Sequence, residues 1–479
     1  MSPHSLIQLA ESMNEETAAT PASLRRLMLW LGPAAGAALA LWLRSHGDTT
    51  ALAVTLGCLV WVALWWLFEP VPAAFTALIP MSVLPMAGVI TPKQVAEAFG
   101  NELILLLMGG FMMAAALERN HAHRRLALGM VRLFGGHSGR HLLWGFVFAT
   151  GLVSMWISNT AATLMMLPVA MAVLEDYRDE RLRVPLILGI AYAASVGGWG
   201  TPIGTPPNLV FMQVYEQTTG SRMGFLEWMR FGVPIVLLFL PLLALWLGRH
   251  LGGSPAAEVP QLGPWHRSER RVLMVFALIV FAWIFRSEPF GGWTGYFALP
   301  GVNDASIALF GVLLMGVIPD GRGSTLLDWP TAERVPWAAL VLFAGGIALA
   351  TAFQTSGLGD RIAGLLAALR DWPAWLLIVG VCLGVTLLSE IASNTATAVL
   401  LMPILAATAT ASGLDPALLM VPAVLAASCG FMLPVATAPN LVAYGTGMVP
   451  LRRMMREGLV LDLIGVAVLS GVCIVFFWR

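Results

Sequence analysis

Long apolar stretches follow one another along almost the whole chain, separated by short polar segments. Because a helix that crosses the hydrocarbon core of a bilayer needs about 20 mostly apolar residues, these stretches predict transmembrane helices. In the first half of the chain the candidates are 27–44, 51–68, 71–89, 101–118, 184–200 with a continuation past 208, and 226–248. In the second half they are 271–286, 303–318, 336–352, 417–432 with a continuation, and 457–478.

Two further apolar stretches carry the same polar triplet, Ser-Asn-Thr, at 158–160 and 393–395. About 14 apolar residues separate the first triplet from the charged run 175–183, which covers roughly 21 Å of a hydrocarbon core of about 30 Å. We therefore expect a re-entrant hairpin over 141–175 with the triplet at its tip, and a second hairpin over 373–412. Backbone that is not helical at this depth needs protein or a water-filled cavity around it.

A second pair of matching motifs follows the hairpins. The segment GGWGTPIGTPPNLV at 197–210 matches CGFMLPVATAPNLV at 429–442. Proline and glycine break a helix, so each motif predicts a discontinuous helix, over 184–218 and over 417–446. Hairpin and broken helix recur in the same order, which indicates an inverted-topology repeat with bound solutes near the bilayer midplane. Close helix packing is the structural alternative, but it does not explain repeated asparagines and Pro-Asn breaks.

Basic residues predict the orientation of the chain. By the positive-inside rule, the arginines around the first hairpin are cytoplasmic, whereas the sparse basic residues near the second hairpin favour the external side. The first group consists of Arg119, Arg124, Arg125, Arg132, Arg140, Arg178, Arg181 and Arg183. With about eleven spans, we expect a cytoplasmic N-terminus and an external C-terminus in the cell (inner) membrane.

Composition defines the broad class. The 479 residues are 58% hydrophobic and 11% charged, whereas soluble domains carry about 25% charged residues, and the mean hydropathy is +0.79. The chain is therefore expected to be an integral membrane protein. A formal net charge of zero gives no reason to expect a nucleic-acid partner. The repeated motifs contain no histidine, which argues against a membrane-embedded enzyme. A channel is a third class, which we favour less than a transporter.

The polar motifs offer neutral oxygen atoms and no Lys or Arg. Hydroxyls, asparagine amides and the free carbonyls of broken helices suit a monovalent cation such as Na⁺, whereas Ca²⁺ or Mg²⁺ would require several carboxylates. The helix that resumes after each tip presents free N–H groups that attract an anion. A buried dianion without basic side chains needs bound cations to balance its charge. The motifs therefore indicate Na⁺-coupled transport of a divalent anion.

One carboxylate, Glu390, lies beside the second tip. It is a candidate protonation switch. The alternative, which we favour, is a side chain on the protein-facing side of the hairpin that accepts hydrogen bonds from the backbone.

The segments SNTAAT with GGWGTPIGTPPN, and SNTATA with ATAPN, resemble the paired motifs of the divalent anion/sodium symporter family, the INDY-type di- and tricarboxylate and sulfate carriers. The resemblance extends over about residues 27 to 478. It implies an all-α elevator-type transporter that forms a homodimer and carries C4-dicarboxylates such as succinate, malate or fumarate with two or more Na⁺ ions. An exchanger of the same fold, or a sulfate or citrate carrier, stays open.

The resemblance also implies individual roles. The first sodium site would use Ser154, Ser158, Asn159 and the carbonyl of Gly204. The second would use Ser389, Asn394 and the carbonyls of Ala392 and Ala436. The anion would be held by Asn159, Thr160, Thr205, Asn394, Thr395 and Thr437. Two positions depart from the family: Ser389 replaces a frequent Thr, and Ala438 replaces the Pro common in dicarboxylate carriers.

A division into scaffold and transport parts follows from the resemblance and the repeat together. We expect a cytoplasmic tail at 1–26, scaffold helices at 27–118, a first transport part at 119–223, linking and scaffold helices at 224–352, a second transport part at 353–450, and a last transmembrane helix at 451–479.

Overall fold

A computed structural model describes residues 22–134, 138–175, 177, 179–252, 263–288, 291–359, 361 and 372–477. Apart from one isolated bridge between Pro319 and Thr325, the regular structure of these residues is helical. The expected all-α class is therefore confirmed. Most of the predicted tail lies outside the described residues, and the first described helix begins at Ala22, within the segment 1–26.

The first half of the chain forms eleven of the described α-helices. They are α1 Ala22–Ser45, α2 Thr50–Phe68, α3 Ala73–Met86, α4 Pro92–Phe99, α5 Glu102–Arg119, α6 Ala122–Phe134, α7 Gly139–Ser154, α8 Asn159–Glu175, α9 Arg183–Gly197, α10 Pro206–Thr219 and α11 Phe225–Leu247. The described helices of the second half are α12 Arg267–Ile284, α13 Gly292–Tyr296, α14 Asp304–Val317, α15 Trp329–Ala332, α16 Trp337–Thr355, α17 Ala374–Ser389, α18 Asn394–Ala411, α19 Pro416–Ala426, α20 Ala438–Gly445 and α21 Leu451–Phe477.

Eight helical segments of the described chain are long and apolar enough to cross a membrane. They are Ser23–Ser45, Thr50–Phe68, Pro92–Arg119, Glu180–Gly200, Phe225–His250, Trp337–Thr355, Asn394–Ala411 and Leu451–Val475. Shorter apolar helices add to them, so the expected number of about eleven spans stays a prediction. One of the eight is the return arm of the second expected hairpin, so its length alone does not distinguish a re-entrant arm from a span.

Two helices end earlier than the apolar stretches that predict them. Helix α3 stops at Met86 because Gly88 adopts a left-handed φ of 70° and the Val89 N–H bonds back to the Leu84 carbonyl. Helix α14 stops at Val317 because Pro319 holds the preceding residue in an extended conformation. The hydrophobic pattern also did not predict α6. This helix is short and contains both charged and apolar residues, so it does not form a long apolar stretch.

The packing of the helices repeats across the two halves of the chain. In the first half α7 packs on α9 and α11, and α8 packs on α9. In the second half α17 packs on α19 and α21, and α18 packs on α19. Across the halves, α8 packs on α20, and α18 packs on α10. Each of these contacts in one half therefore has a counterpart in the other, as expected of an internal repeat.

The broken helices occupy the centre of this arrangement. Every residue of α9 from Pro185 to Gly197 is buried, and so is every residue of α19 from Ala417 to Ala426. A helix that is apolar on all sides is stable in such a position because each of its faces meets another helix.

Candidate functional site

The turn of the first helix pair brings three oxygen atoms together. Helix α7 ends at Ser154 and α8 begins at Asn159. The Ser154 hydroxyl oxygen lies 2.8 Å from Asn159 Oδ1 and 2.7 Å from the carbonyl oxygen of Ala194 in α9. One hydroxyl donates one hydrogen, so it serves only one of these two acceptors at a time.

The second helix pair repeats this cluster. The Ser389 hydroxyl oxygen lies 3.0 Å from Asn394 Oδ1 and 2.5 Å from the carbonyl oxygen of Ala427. Ser154 and Ser389 are fully buried, whereas the two asparagines are half-buried. In each repeat, therefore, a hydroxyl, an amide oxygen and a carbonyl oxygen converge, and such a set of neutral oxygens fits a monovalent hard cation. The Ala194 carbonyl also accepts from the backbone N–H of Gly198.

The break in each central helix is closed by an asparagine side chain. Asn208 Nδ2 donates to the carbonyls of Gly198 and Thr201, both at 2.8 Å. Asn440 Nδ2 donates to the carbonyls of Gly430 and Leu433 at 2.8 and 3.0 Å. These bonds satisfy carbonyls that a continuous helix would have paired with backbone N–H groups.

Glycine lets the tip of the first pair approach the loop of the first broken helix. A Cβ atom at Gly198 would lie 2.8 Å from Asn159 Oδ1 and 3.1 Å from the Cβ of Thr205. In the second repeat a Cβ atom at Gly430 would lie 3.4 Å from the carbonyl oxygen of Ser389 and 2.9 Å from the Cβ of Ala436 within the same loop. Each turn therefore lies against the loop of its own repeat, and a larger residue at Gly198 would separate the two.

The other residues predicted for the site lie at the same turns and loops, with different partners. Ser158 Oγ accepts from the Ala161 N–H at 3.2 Å and so caps α8. Thr437 Oγ1 accepts from the Asn440 N–H at 3.2 Å, whereas Thr205 makes no side-chain bond to the start of α10. Half-buried positions at the two tips are those of Thr160, Ala392 and Thr395. Gly204 lies in the first loop, and the carbonyl of Gly198 is 2.6 Å from where its Cβ would be.

Glu390 holds the second loop through backbone hydrogen bonds. Its carboxylate accepts from the N–H groups of Met432 and Leu433 at 2.8 and 2.9 Å. In the first repeat a neutral contact joins the same two regions, because the Thr201 hydroxyl donates to the Met155 carbonyl at 2.5 Å. These bonds favour the structural interpretation of Glu390, and its role as a protonation switch stays a hypothesis.

Sequence reasoning missed several members of this constellation. The carbonyls of Ala194 and Ala427 carry no side-chain signal. Asn208 and Asn440 stand in the matched motifs but received no role, although the repetition itself was a signal. Asp462 in α21 is buried, and neither of its carboxylate oxygens has a hydrogen-bond partner in the described part of the chain. A lone carboxylate in an apolar span could have been singled out.

A cavity of about 260 Å³ lies away from these tips and loops. It opens where α10 and α12 end and α11 and α14 begin. Its charged groups pair with one another: Arg222 lies 3.3 Å from Glu102, and Arg286 lies 2.8 Å from Asp304. None of the predicted site residues lines it.

Duplicated helix pairs and broken helices in an all-helical membrane fold define the protein as a multi-pass membrane transporter. Residues 63–418 match the model of a family described as citrate transporters, and the chain belongs to this family. The resemblance to divalent anion/sodium symporters is thereby confirmed.

Similar proteins support this assignment. The "Sodium-dependent dicarboxylate transporter SdcS" of Staphylococcus saprophyticus is 36% identical over 452 residues, which are 89% of this chain and 85% of that protein. The protein of the same name from Staphylococcus aureus is 35% identical over 443 residues, covering 87% and 84%.

Solved structures of distant transporters share the fold. The YdaH transporter of Alcanivorax borkumensis superposes with a TM-score of 0.57 at 17% identity, over 81% of this chain and 86% of that one. MtrF of Neisseria gonorrhoeae superposes with a TM-score of 0.59 at 15% identity, over 83% and 84%. At these identities the likeness concerns the fold alone.

Proposed function

We propose that the protein is a secondary active transporter that carries a divalent anion, a C4-dicarboxylate such as succinate, together with Na⁺ ions. The observation that carries this proposal is the duplicated cluster of serine hydroxyl, asparagine amide and alanine carbonyl oxygens. The names of the relatives, which are sodium-dependent dicarboxylate transporters, support both the ion and the class of anion.

We place one sodium site beside each cluster, with the ligands that the family resemblance implies. The first consists of Ser154, Ser158, Asn159 and the carbonyl of Gly204. The second consists of Ser389, Asn394 and the carbonyls of Ala392 and Ala436. Between them, Asn159, Thr160, Thr205, Asn394, Thr395 and Thr437 would hold the anion. Two Na⁺ ions balance a dianion, so the loaded site is close to neutral and its movement across the bilayer costs less than that of either charge alone.

An elevator movement is consistent with the packing of the helices. The helices α6 to α11 and α17 to α21 pack on one another and carry both tips and both loops. We include α11, which packs on α7 and α9, and α21, which packs on α17 and α19, although the sequence assigned them to the linking segment 224–352 and to a separate last helix at 451–479. We propose that these helices move together against the remaining helices, within a homodimer, and that both hairpins are re-entrant and enter from opposite sides of the membrane.

Sodium dependence is the decisive test. In proteoliposomes we expect an inward Na⁺ gradient to drive accumulation of radiolabelled succinate above its external concentration, and replacement of Na⁺ by K⁺ to abolish accumulation. The physical reason is that no basic side chain stands in the motifs to balance the anion. Undiminished accumulation without Na⁺ would contradict the proposal, and counterflow from preloaded vesicles without Na⁺ would favour the exchanger.

A larger anion such as citrate is the second candidate, and Ala438 favours it. Ala438 is exposed and begins α20, whereas Pro206 begins α10 in the first repeat and has no N–H. The second repeat can therefore donate one more backbone hydrogen bond to an anion.

Substitution of this residue discriminates between the anions. We expect Ala438→Pro to raise the KM for citrate by about tenfold or more, because a hydrogen bond to a charged group is lost. The KM for succinate is expected to change less. The matched control is Pro206→Ala, which adds an N–H in the other repeat. Equal changes in KM for citrate, succinate and sulfate would contradict a contact between Ala438 and the anion.

A further inference from the structure

The asparagine of each Pro-Asn motif makes the same pair of hydrogen bonds. Asn208 bonds the carbonyls of residues ten and seven positions earlier in the chain, and Asn440 does the same. The side chains are fully buried. Because prolines in both motifs remove backbone N–H groups, the side-chain amide supplies donors that the broken helix lacks.

One of the two carbonyls in each repeat also fixes a turn. The carbonyl of Thr201 accepts from the Gly204 N–H at 3.2 Å as well as from Asn208. The carbonyl of Leu433 accepts from the Ala436 N–H at 3.2 Å as well as from Asn440. Asn208 therefore bonds the carbonyl that also holds Gly204, and Asn440 bonds the carbonyl that also holds Ala436. The carbonyls of Gly204 and Ala436 are the ones that we assign to the sodium sites.

Each of these asparagines pairs two carbonyls and leaves one of its own atoms unpaired. Within the described part of the chain, Oδ1 of Asn208 and Oδ1 of Asn440 have no hydrogen-bond partner, and both atoms are buried. A buried acceptor left unpaired is unfavourable, but an apolar side chain of similar shape would leave the two carbonyls at the break unpaired instead. The same bonds recur in both repeats and meet the turn that contains Gly204 or Ala436, which indicates that they define the geometry of this turn as well as satisfy its carbonyls.

We infer that Asn208 and Asn440 are positioning residues for the two sodium sites, an inference that rests on the proposed function. They do not touch the ion. Each amide binds two carbonyls at the break, so those carbonyls do not compete for the ion. It also holds the turn that directs the Gly204 or Ala436 carbonyl toward the serine and asparagine of the adjacent tip. The ligands are therefore already oriented before Na⁺ binds, and the binding free energy of Na⁺ is not reduced by the cost of ordering them.

The test measures Na⁺ binding separately from transport. In purified full-length protein, thermal stabilisation is titrated with Na⁺, and then with succinate at saturating Na⁺. We expect Asn208→Leu and Asn440→Leu each to raise the half-saturating Na⁺ concentration by about tenfold or more, while the half-saturating succinate concentration at saturating Na⁺ changes less than about threefold. Leu removes the donors with little change of shape and adds no charge.

A buried threonine in α7, which is outside the two broken helices, provides a matched control. Thr150 in α7 is fully buried and bonds only the carbonyl of Phe146 in its own helix, at 2.7 Å. Thr150→Val is expected to leave the half-saturating Na⁺ concentration unchanged. Asn208→Ser, which keeps one donor for one of the two carbonyls, is expected to give an intermediate shift.

The outcomes separate this inference from the function on which it rests. A wild-type protein that Na⁺ does not stabilise would contradict the sodium sites themselves. If Na⁺ stabilises the wild type, and the half-saturating Na⁺ concentration of both Leu variants lies within twofold of the wild-type value, the asparagines are purely structural. That result would overturn the inference. The same conclusion follows if Asn208→Leu and Asn208→Ser both fail to fold even at saturating Na⁺.

Discussion

Alanine in place of Asn159 is expected to reduce Na⁺-driven uptake of succinate by about a hundredfold or more. The amide oxygen of Asn159 belongs to the cluster with Ser154 and Ala194, and the residue also stands against Gly198 of the broken helix. The variant removes a proposed ligand of both Na⁺ and the anion. Losing two such interactions amounts to about 3 kcal/mol, which corresponds to roughly two orders of magnitude.

Initial rates in proteoliposomes, measured over a series of Na⁺ and succinate concentrations, check this expectation. Asn394→Ala should have an effect of similar size, because the second repeat builds the same cluster around Ser389. The control is Thr408→Ala in α18, whose hydroxyl bonds only within its own helix, to Ile404 at 2.7 Å. A rate for Asn159→Ala within tenfold of wild type would show that the proposed sites are elsewhere.

A methyl group at Gly197 is expected to destabilise the folded protein more than any conservative substitution near the site. Gly197 ends α9 where this helix crosses α7 at Gly151. A Cβ atom there would lie 2.8 Å from the Cα and carbonyl carbon of Gly151, and closer still to its oxygen. Overpacking against side chains costs about 1–3 kcal/mol, and backbone atoms have less freedom to move away, so we expect a cost at or above the upper end of this range.

The clash also has a functional consequence. Separation of α7 from α9 would move Ser154 away from the Ala194 carbonyl and so disrupt the first oxygen cluster. The apparent Tm of Gly197→Ala in detergent and its yield of monodisperse protein measure the effect. Gly471→Ala in α21, where a Cβ would meet nothing within 4 Å, should keep or slightly raise the Tm. An unchanged Tm in Gly197→Ala would mean that the two helices can separate without cost.

Much of the architecture was available from local patterns. The length of the apolar stretches predicts the helices around Thr50–Phe68 and Phe225–Leu247 to within a residue or two at each end. The repeated Pro-Asn motifs predict the two breaks because proline and glycine act on the backbone of their own segment. The apolar stretch 71–89 extends beyond the end of its helix, because a glycine with positive φ ends the helix there. Hydrophobicity alone does not predict such an end.

The sequence by itself determined that the protein is a membrane transporter with an internal repeat, and which tips and loops carry its polar groups. These properties follow from the composition and spacing of neighbouring residues. Only the tertiary structure decided that the carbonyls of Ala194 and Ala427 complete the oxygen clusters, that Glu390 holds the second loop, and that each amide closes a helix break. The reason is that every residue has the same carbonyl group, so which of them meets a given side chain depends on how helices far apart in the chain pack together.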